Sequence, residues 1–230
     1  MAGGASHRRP RLVLLGAGGF GIFGLDLAAA AGFDLVGFLD NHKAKGTVVN
    51  GCAVLGPFEL ADDPAMRAEC EFLVSVTDFA LRREWSRRIR SRGGRLARLV
   101  HPSVACSPSA HVGAGVMINA FSVVYPNADV GDCVIVESHC SVGTEVTVGE
   151  CSLLAPGVLI NRGATVGRDC FMGSGAVVNP KVTVGDGSLI GANAAVVRDI
   201  PAGKVAAGSP ARILRDNVLS AAPAVPPAKA

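Results

Sequence analysis

At 230 residues the chain has room for two compact units, and a formal net charge of +3 is too small to mark a binder of polyanions. Aromatic residues make up only 5% while glycines number 29, which suits glycine-cornered coils and argues against a nucleic-acid stacking surface. No apolar run approaches the roughly 18 residues of a membrane span, so neither a nucleic-acid partner nor a membrane span is expected.

The N-terminal residues 1–10 are small and basic and read as a flexible start. The apolar run after them, Leu12–Leu15, is too short for a signal peptide and runs into glycines. Residues 11–15 read as a buried strand, followed by Gly16-Ala17-Gly18-Gly19-Phe20-Gly21. A helix is predicted from about Phe20 to Ala31, and Asp34–Asp40 reads as a second strand ending in an acid. This is βαβ logic: a glycine-rich turn, a helix N-terminus, and a carboxylate about 20 residues on. Such a turn lets a phosphate approach backbone N–H groups. Asp40 is placed to hold a ribose hydroxyl; the competing reading gives the glycines only a tight turn to make. Further on, Ala53–Leu60 is expected to mix strand and turn, Phe72–Val76 to be a buried strand, Asp78–Arg92 a helix, and Leu96–Val100 a last strand. The helix carries Arg82, Arg83, Arg87, Arg88, Arg90 and Arg92, and reads as a solvated basic face. Residues 11–100 have room for one mononucleotide-binding half.

From residue 112 to 201 a six-residue period runs without a slip. Val112, Ile118, Val124, Val130, Val136, Val142, Val148, Leu154, Ile160, Val166, Met172, Val178, Val184, Ile190 and Val196 are all aliphatic or Met. Two places before each stands a small or medium residue. One place after stands Gly in eight cases and Asn in three. At 49% hydrophobic content, fifteen such hits in a row arise by chance about once in 10⁴–10⁵. The period predicts a parallel β-helix of about five coils, each of about 18 residues. The Gly or Asn after the aliphatic residue is expected to turn each corner at positive φ. Glu137 stands at such a corner, so it is expected either to strain the backbone or to mark a corner of another shape. After Val196 the run ends at Asp199-Ile200-Pro201, and Gly208-Ser209-Pro210-Ala211-Arg212 forms a tight exit. Residues 216–230 read as a disordered tail.

The seven cysteines are odd in number and form no C-x-x-C pair. Cys140 and Cys170 fall on the inward small register and are read as core side chains. No metal site is expected, and free thiols of this kind suggest a reducing cytoplasm.

The glycine-rich turn, the strand end Phe38-Leu39-Asp40, the lead-in His101-Pro102-Ser103, the hexads and the Gly208–Arg212 loop together carry a resemblance. The chain resembles the hexapeptide-repeat bacterial sugar acyltransferases, with an α/β Rossmann-like N-terminal half domain and a left-handed parallel β-helix, here residues 101–215. These include sialic-acid O-acetyltransferases and N-acetyltransferases of nucleotide-linked 4-amino sugars. The resemblance implies a homotrimer that moves an acetyl group from acetyl-CoA to an amine or hydroxyl of a nucleotide-linked sugar. A corner His acts as general base there, with the next acid orienting it. On this chain Thr144 falls where that His belongs, and Glu145 matches the acid. Glu137 falls where relatives often have Asn, Leu153 where some have a second His, and Phe20 where a His usually ends Gly-Gly-His.

An alcohol is far too weak a base to replace imidazole. Glu145, Glu137 and His139 are the remaining candidates, the carboxylates only if burial raises their pKa. Alternatively the acceptor amine attacks unaided, or the chain is a catalytically altered or inactive homologue acting as a binding or scaffold protein. Register alone offers Gly173, Ser174, Gly191, Ala192 and the Gly208 loop for the pantetheine arm, with Lys204 and Arg212 for CoA phosphates. The sugar nucleotide falls to Gly16, Gly18, Gly19, Phe20 and Asp40.

Overall fold

The computed structural model describes residues 9–218. The expected flexible start falls mostly on residues 1–8, His7 included, and the tail mostly on 219–230; both stretches lie outside the described residues. Asp216 belongs to the last strand, Arg212–Asp216. The chain divides into two compact units, residues 9–104 with 113–120, and residues 105–112 with 121–218.

In the first unit, β1 (Arg11–Leu15) leads into α1 (Gly19–Ala30) and β2 (Asp34–Leu39). Then come β3 (Val48–Val49), β4 (Cys52–Gly56), α2 (Pro64–Glu69), β5 (Cys70–Val74), α3 (Phe79–Ser91) and β6 (Arg95–Leu96). The sheet order is β3-β4-β2-β1-β5-β6, with every pairing parallel except β3 with β4. β1 and β5 are nearly continuous apolar runs because strands at the middle of a parallel sheet are covered on both faces. Val13, Leu15, Leu39, Phe72, Trp85 and Ile89 form the core under α3.

Two expectations change here. Leu96–Val100 is two short strands: Arg95–Leu96 closes this sheet, and Leu99–Val100 pairs in parallel with Met117–Ile118. The basic face of α3 is also only partly a solvated one. Arg82 is 1% exposed, and its Nη1 donates to the Val76 carbonyl at 2.7 Å. Arg88 lies over the Trp85 ring at 4.6 Å and pairs with Asp62, which Arg92 also reaches at 3.1 Å. The Arg88 hydrogen bonds hold the Asp62 carboxyl below its usual value.

The second unit is a parallel β-helix. Each two-residue strand pairs with the one 18 residues on, Asp129–Val130 with Thr147–Val148 for example, so three hexads close one coil. The aliphatic residues of the period are buried throughout Val124–Val196. Polar residues at the small register are buried too, and each finds the same kind of partner. Ser122 Oγ donates to the Glu137 carbonyl at 2.9 Å, Cys140 Sγ to Ala155 at 3.2 Å, Ser152 Oγ to Gly167 at 2.7 Å and Cys170 Sγ to Gly185 at 3.2 Å. Each of these four partners lies 15 residues on, at a corner of the next coil, while Ser188 Oγ donates to Pro201 O, 13 residues on, at 3.0 Å. Ser and Cys interchange at this register because a short side chain with a hydrogen to donate satisfies a corner carbonyl there. Burial pushes the Cys140 thiol up to about 11 and Cys170 up to about 12, so both remain protonated core donors.

The corners turn differently from expectation. Positive φ falls three places after the aliphatic residue, at Phe121, Asn127, Cys133, His139, Glu145, Cys151 and onward. The glycines one place after it serve close approach. A Cβ on Gly149 would lie 2.4 Å from Arg168 N, and on Gly185 2.4 Å from Ala202 N. Glu137 accordingly has no left-handed backbone, and no strain is stored at that residue.

A candidate acyltransfer site and nucleotide pocket

The Gly16–Phe20 turn opens a cavity of about 400 Å³ in the first unit. Gly16 has φ +106, and its N–H donates to Leu39 O at 2.8 Å. A Cβ on Gly21 would meet Gly16 O at 2.1 Å, so the helix can start this close to the strand only with glycine there. Gly18 and Gly19, by contrast, have nothing within 4 Å of a Cβ, so packing does not require glycine at either. No side chain caps α1, and no acidic residue stands in its first turn, which leaves an N-terminus suited to an anion.

All five residues assigned to the sugar nucleotide, Gly16, Gly18, Gly19, Phe20 and Asp40, line this cavity. Phe58, Ser75, Thr77 and Leu81, which sequence reasoning missed, line it too. They come from strand ends and turns far along the chain, so no local motif flags them. Asp40 also has a task in the fold. Its Oδ2 accepts from Ala17 N at 2.8 Å, and its Oδ1 accepts from the N–H groups of His42 at 2.8 Å and Lys43 at 2.9 Å. Burial pushes the carboxyl up, but these donors outweigh it and hold its pKa below the ordinary value. Asp40 thus staples the glycine turn to the end of β2. Asp40→Asn offers one acceptor oxygen in place of two and is expected to cost about 1–3 kcal/mol at neutral pH. That contribution is present above the ordinary Asp value and lost as pH falls through the lowered one. Urea unfolding at pH 7 and pH 3 should therefore show the gap between variant and wild type closing in acid; a gap of constant size would contradict the staple.

On the β-helix the four catalytic candidates fall at two corners, on either side of the strand Ser141–Val142. Thr144 and Glu145 share one. Thr144 O accepts from Gly163 N at 2.9 Å. Glu145 is exposed, and both carboxylate oxygens accept from Arg162 of the next coil, at 3.2 and 3.3 Å. Glu137 and His139 flank the other corner. His139 is exposed, and its ring packs on Phe121 with centroids 5.2 Å apart. Glu137 is half-buried, and burial raises its carboxyl above the ordinary value of 4.5. Of the two carboxylates, only Glu137 has the burial that a base role asks for.

The residues assigned to the thioester carrier form a third group. The 173–174 and 191–192 corners stack directly, with Asn193 N donating to Ser174 O at 2.8 Å. Ser174 and Ala192 are exposed. Gly173 and Gly191 are needed for coil stacking, since a Cβ on Gly173 would meet Ala192 N at 2.5 Å and one on Gly191 would meet Ala207 Cβ at 2.8 Å. Gly208 sits at φ +95. Lys204 is paired with Asp216, and Arg212 is exposed with its Nη1 on Ala211 O at 2.9 Å.

Residues 11–89 match the PglD N-terminal domain, and residues 163–198 match the bacterial transferase hexapeptide (six repeats). Among solved structures the chain is similar to the acetyltransferase domain of PglB from Neisseria gonorrhoeae, solved in complex with acetyl coenzyme A. Identity is 32%, the match covers 90% of this chain and 100% of that one, and the TM-score is 0.84. It is likewise similar to a His-to-Asn mutant of perosamine N-acetyltransferase from Caulobacter crescentus, in complex with CoA and GDP-perosamine. There identity is 30%, coverage 92% and 100%, and the TM-score 0.85.

The chain belongs to the hexapeptide-repeat sugar acyltransferase family. Its solenoid is that family's left-handed parallel β-helix, and its first unit the family's Rossmann-like half domain. WeeI from Acinetobacter baumannii shares the fold at 22% identity, covering 88% of this chain and 99% of that one, with a TM-score of 0.78. Among curated proteins none matches the sequence. Among the described residues, no helix is long and apolar enough to cross a membrane.

Proposed function

We propose that this family member is a homotrimeric acyltransferase that moves an acetyl group from acetyl-CoA to an amine or hydroxyl of a nucleotide-linked sugar, with Glu137 as general base. The reaction is supported by a likeness of 30% identity or more that spans the full length of relatives solved with acetyl-CoA, or with CoA and a sugar nucleotide. The half-burial of Glu137 supports the choice of base. The cavity at the Gly16 turn holds the nucleotide, with its phosphates at the uncapped end of α1. The exposed Ser174 and Ala192 corners and the Gly208 loop lie along the pantetheine arm, and Lys204 and Arg212 meet phosphates.

The chemistry is one acyl transfer. The acceptor's nitrogen or oxygen attacks the thioester carbonyl, and the carbon–sulfur bond breaks as the tetrahedral intermediate collapses. Glu137 takes the proton the nucleophile sheds and returns it to the departing thiolate. A carboxylate whose pKa is raised by burial is a stronger base than an exposed one, which brings it nearer the operating pH.

Thiol release from acetyl-CoA, with a panel of uridine-, guanosine- and thymidine-diphosphate amino sugars, tests the reaction. Turnover with at least one acceptor is expected, and that acceptor should also raise the melting temperature. One observation favours a second reading, a binding protein without turnover: Thr144 stands in the usual base position, and its neighbour Glu145 is tied to Arg162. CoA binding with no turnover across the panel would decide for it.

A further inference from the structure

Two adjacent residues of one coil hold the segment that carries Glu137. From inside, Ser122 Oγ donates to the Glu137 carbonyl at 2.9 Å and accepts from the Cys140 N–H at 3.1 Å. Ser122 is 1% exposed, so no solvent competes for these bonds. From outside, the Phe121 ring packs on His139. Phe121 does this from φ +62, a backbone conformation that bulky residues rarely adopt, and it stays 64% exposed. One hydroxyl therefore bridges both ends of the Glu137–Cys140 corner while a ring braces its middle.

We infer that Ser122 is a positioning residue for Glu137: its hydroxyl fixes the corner backbone, and with it the direction in which the Glu137 side chain leaves the coil. Its catalytic meaning rests on the reading of Glu137 as base. The bridge recurs elsewhere in the solenoid. Ser152 Oγ donates to Gly167 O at 2.7 Å and accepts from Cys170 N at 3.0 Å, in a corner where Gly167 stands in the place of Glu137. Ser152 thus supplies an internal control with the same hydrogen bonds, glycine in the place of Glu137, and Asp169 in the place of His139.

The test is an NMR titration of the Glu137 side-chain carboxyl in the full chain, without any substrate. Wild type should titrate above the ordinary value of 4.5. The neighbouring Cys140 thiol, which feels the Glu137 charge, stays protonated up to about 11 and does not mix into this range. His139, at the same corner, is followed separately by its own imidazole signals. Ser122→Ala is expected to let the corner open and move the Glu137 midpoint back toward the ordinary value, while Ser152→Ala leaves it where it was. Ser122→Cys, whose thiol donates more weakly, should give a smaller shift in the same direction and serves if the alanine variant does not fold. A Ser122 variant that titrates like wild type overturns the inference, and so does an equal shift from Ser152→Ala. Because no acceptor or acetyl-CoA enters the measurement, a chain that turned over no sugar would sink the proposed reaction and leave this result standing.

Discussion

Glu137→Gln should lower turnover by about 10²–10⁴-fold, the usual worth of a positioned general base, and at the same time make the protein more stable at neutral pH. The two effects share one cause. Burial disfavours the charged carboxylate, so its folded pKa lies above the unfolded one. For a raised carboxyl the stabilising contribution is complete below the ordinary value and is lost as pH rises through the folded value. At neutral pH wild type therefore carries an ionised, partly desolvated acid at this corner, and glutamine removes that cost. Thermal melts of both proteins from pH 4 to pH 8 should coincide more closely in acid and diverge as pH rises, with the variant the higher. Stability given up for a working group is common at active sites. His139→Ala, at the same corner, should lower turnover much less. If Glu137→Gln kept wild-type turnover and His139→Ala lost it, the base would be the imidazole.

Gly149→Ala should be among the most damaging single-methyl changes in the β-helix, at about 3 kcal/mol. Its Cβ would stand 2.4 Å from Arg168 N and 2.6 Å from the Gly167 carbonyl carbon, both backbone atoms of the next coil. The coils cannot part to admit it, because Gly149 N donates to Val166 O at 2.8 Å and ladder spacing is fixed near 4.8 Å. Gly163→Ala is the informative partner. Gly163 has φ +67, with Lys181 Cγ the nearest atom to a Cβ at 3.5 Å, so only the left-handed backbone opposes alanine there, at about 1–2 kcal/mol. Glu145 and Lys181 already occupy that register one coil either side. Urea unfolding of the two variants should rank Gly149→Ala well below Gly163→Ala. The reverse order would mean that the coils give way to the added methyl, and that coil-to-coil approach does not select glycine after the aliphatic residue.

That distinction shows where sequence reading ran out. The hexad period gave the right architecture because an inward aliphatic every six residues has few other ways to be buried. It gave the wrong cause for the corner glycines, because a one-dimensional pattern records where glycine stands and not whether φ or a neighbouring backbone demands it. Glu145 stands out in the sequence as an acid at a coil corner, yet its partner Arg162 lies 17 residues on. Ser122 lies 15 residues before the carbonyl it holds. Both partners fall about one 18-residue coil away, so the period contained the clue, but side-chain direction at each corner had to be seen. The arginines of α3 carry the same lesson: a charge run marks a helix, while only packing separates buried Arg82 from its solvent-facing neighbours.

By itself the sequence determined the two-unit plan, the inward register of the solenoid, the glycine turn and the presence of threonine at residue 144. These follow from patterns along the chain, where composition and spacing are enough. Tertiary structure alone decided that Asp40 ties the turn to β2, that Glu145 is held by Arg162, and that Glu137 is the carboxylate half-removed from water. Each of these depends on which atoms of distant coils and strand ends meet, and burial and hydrogen bonding across such contacts set the charge state of an acid.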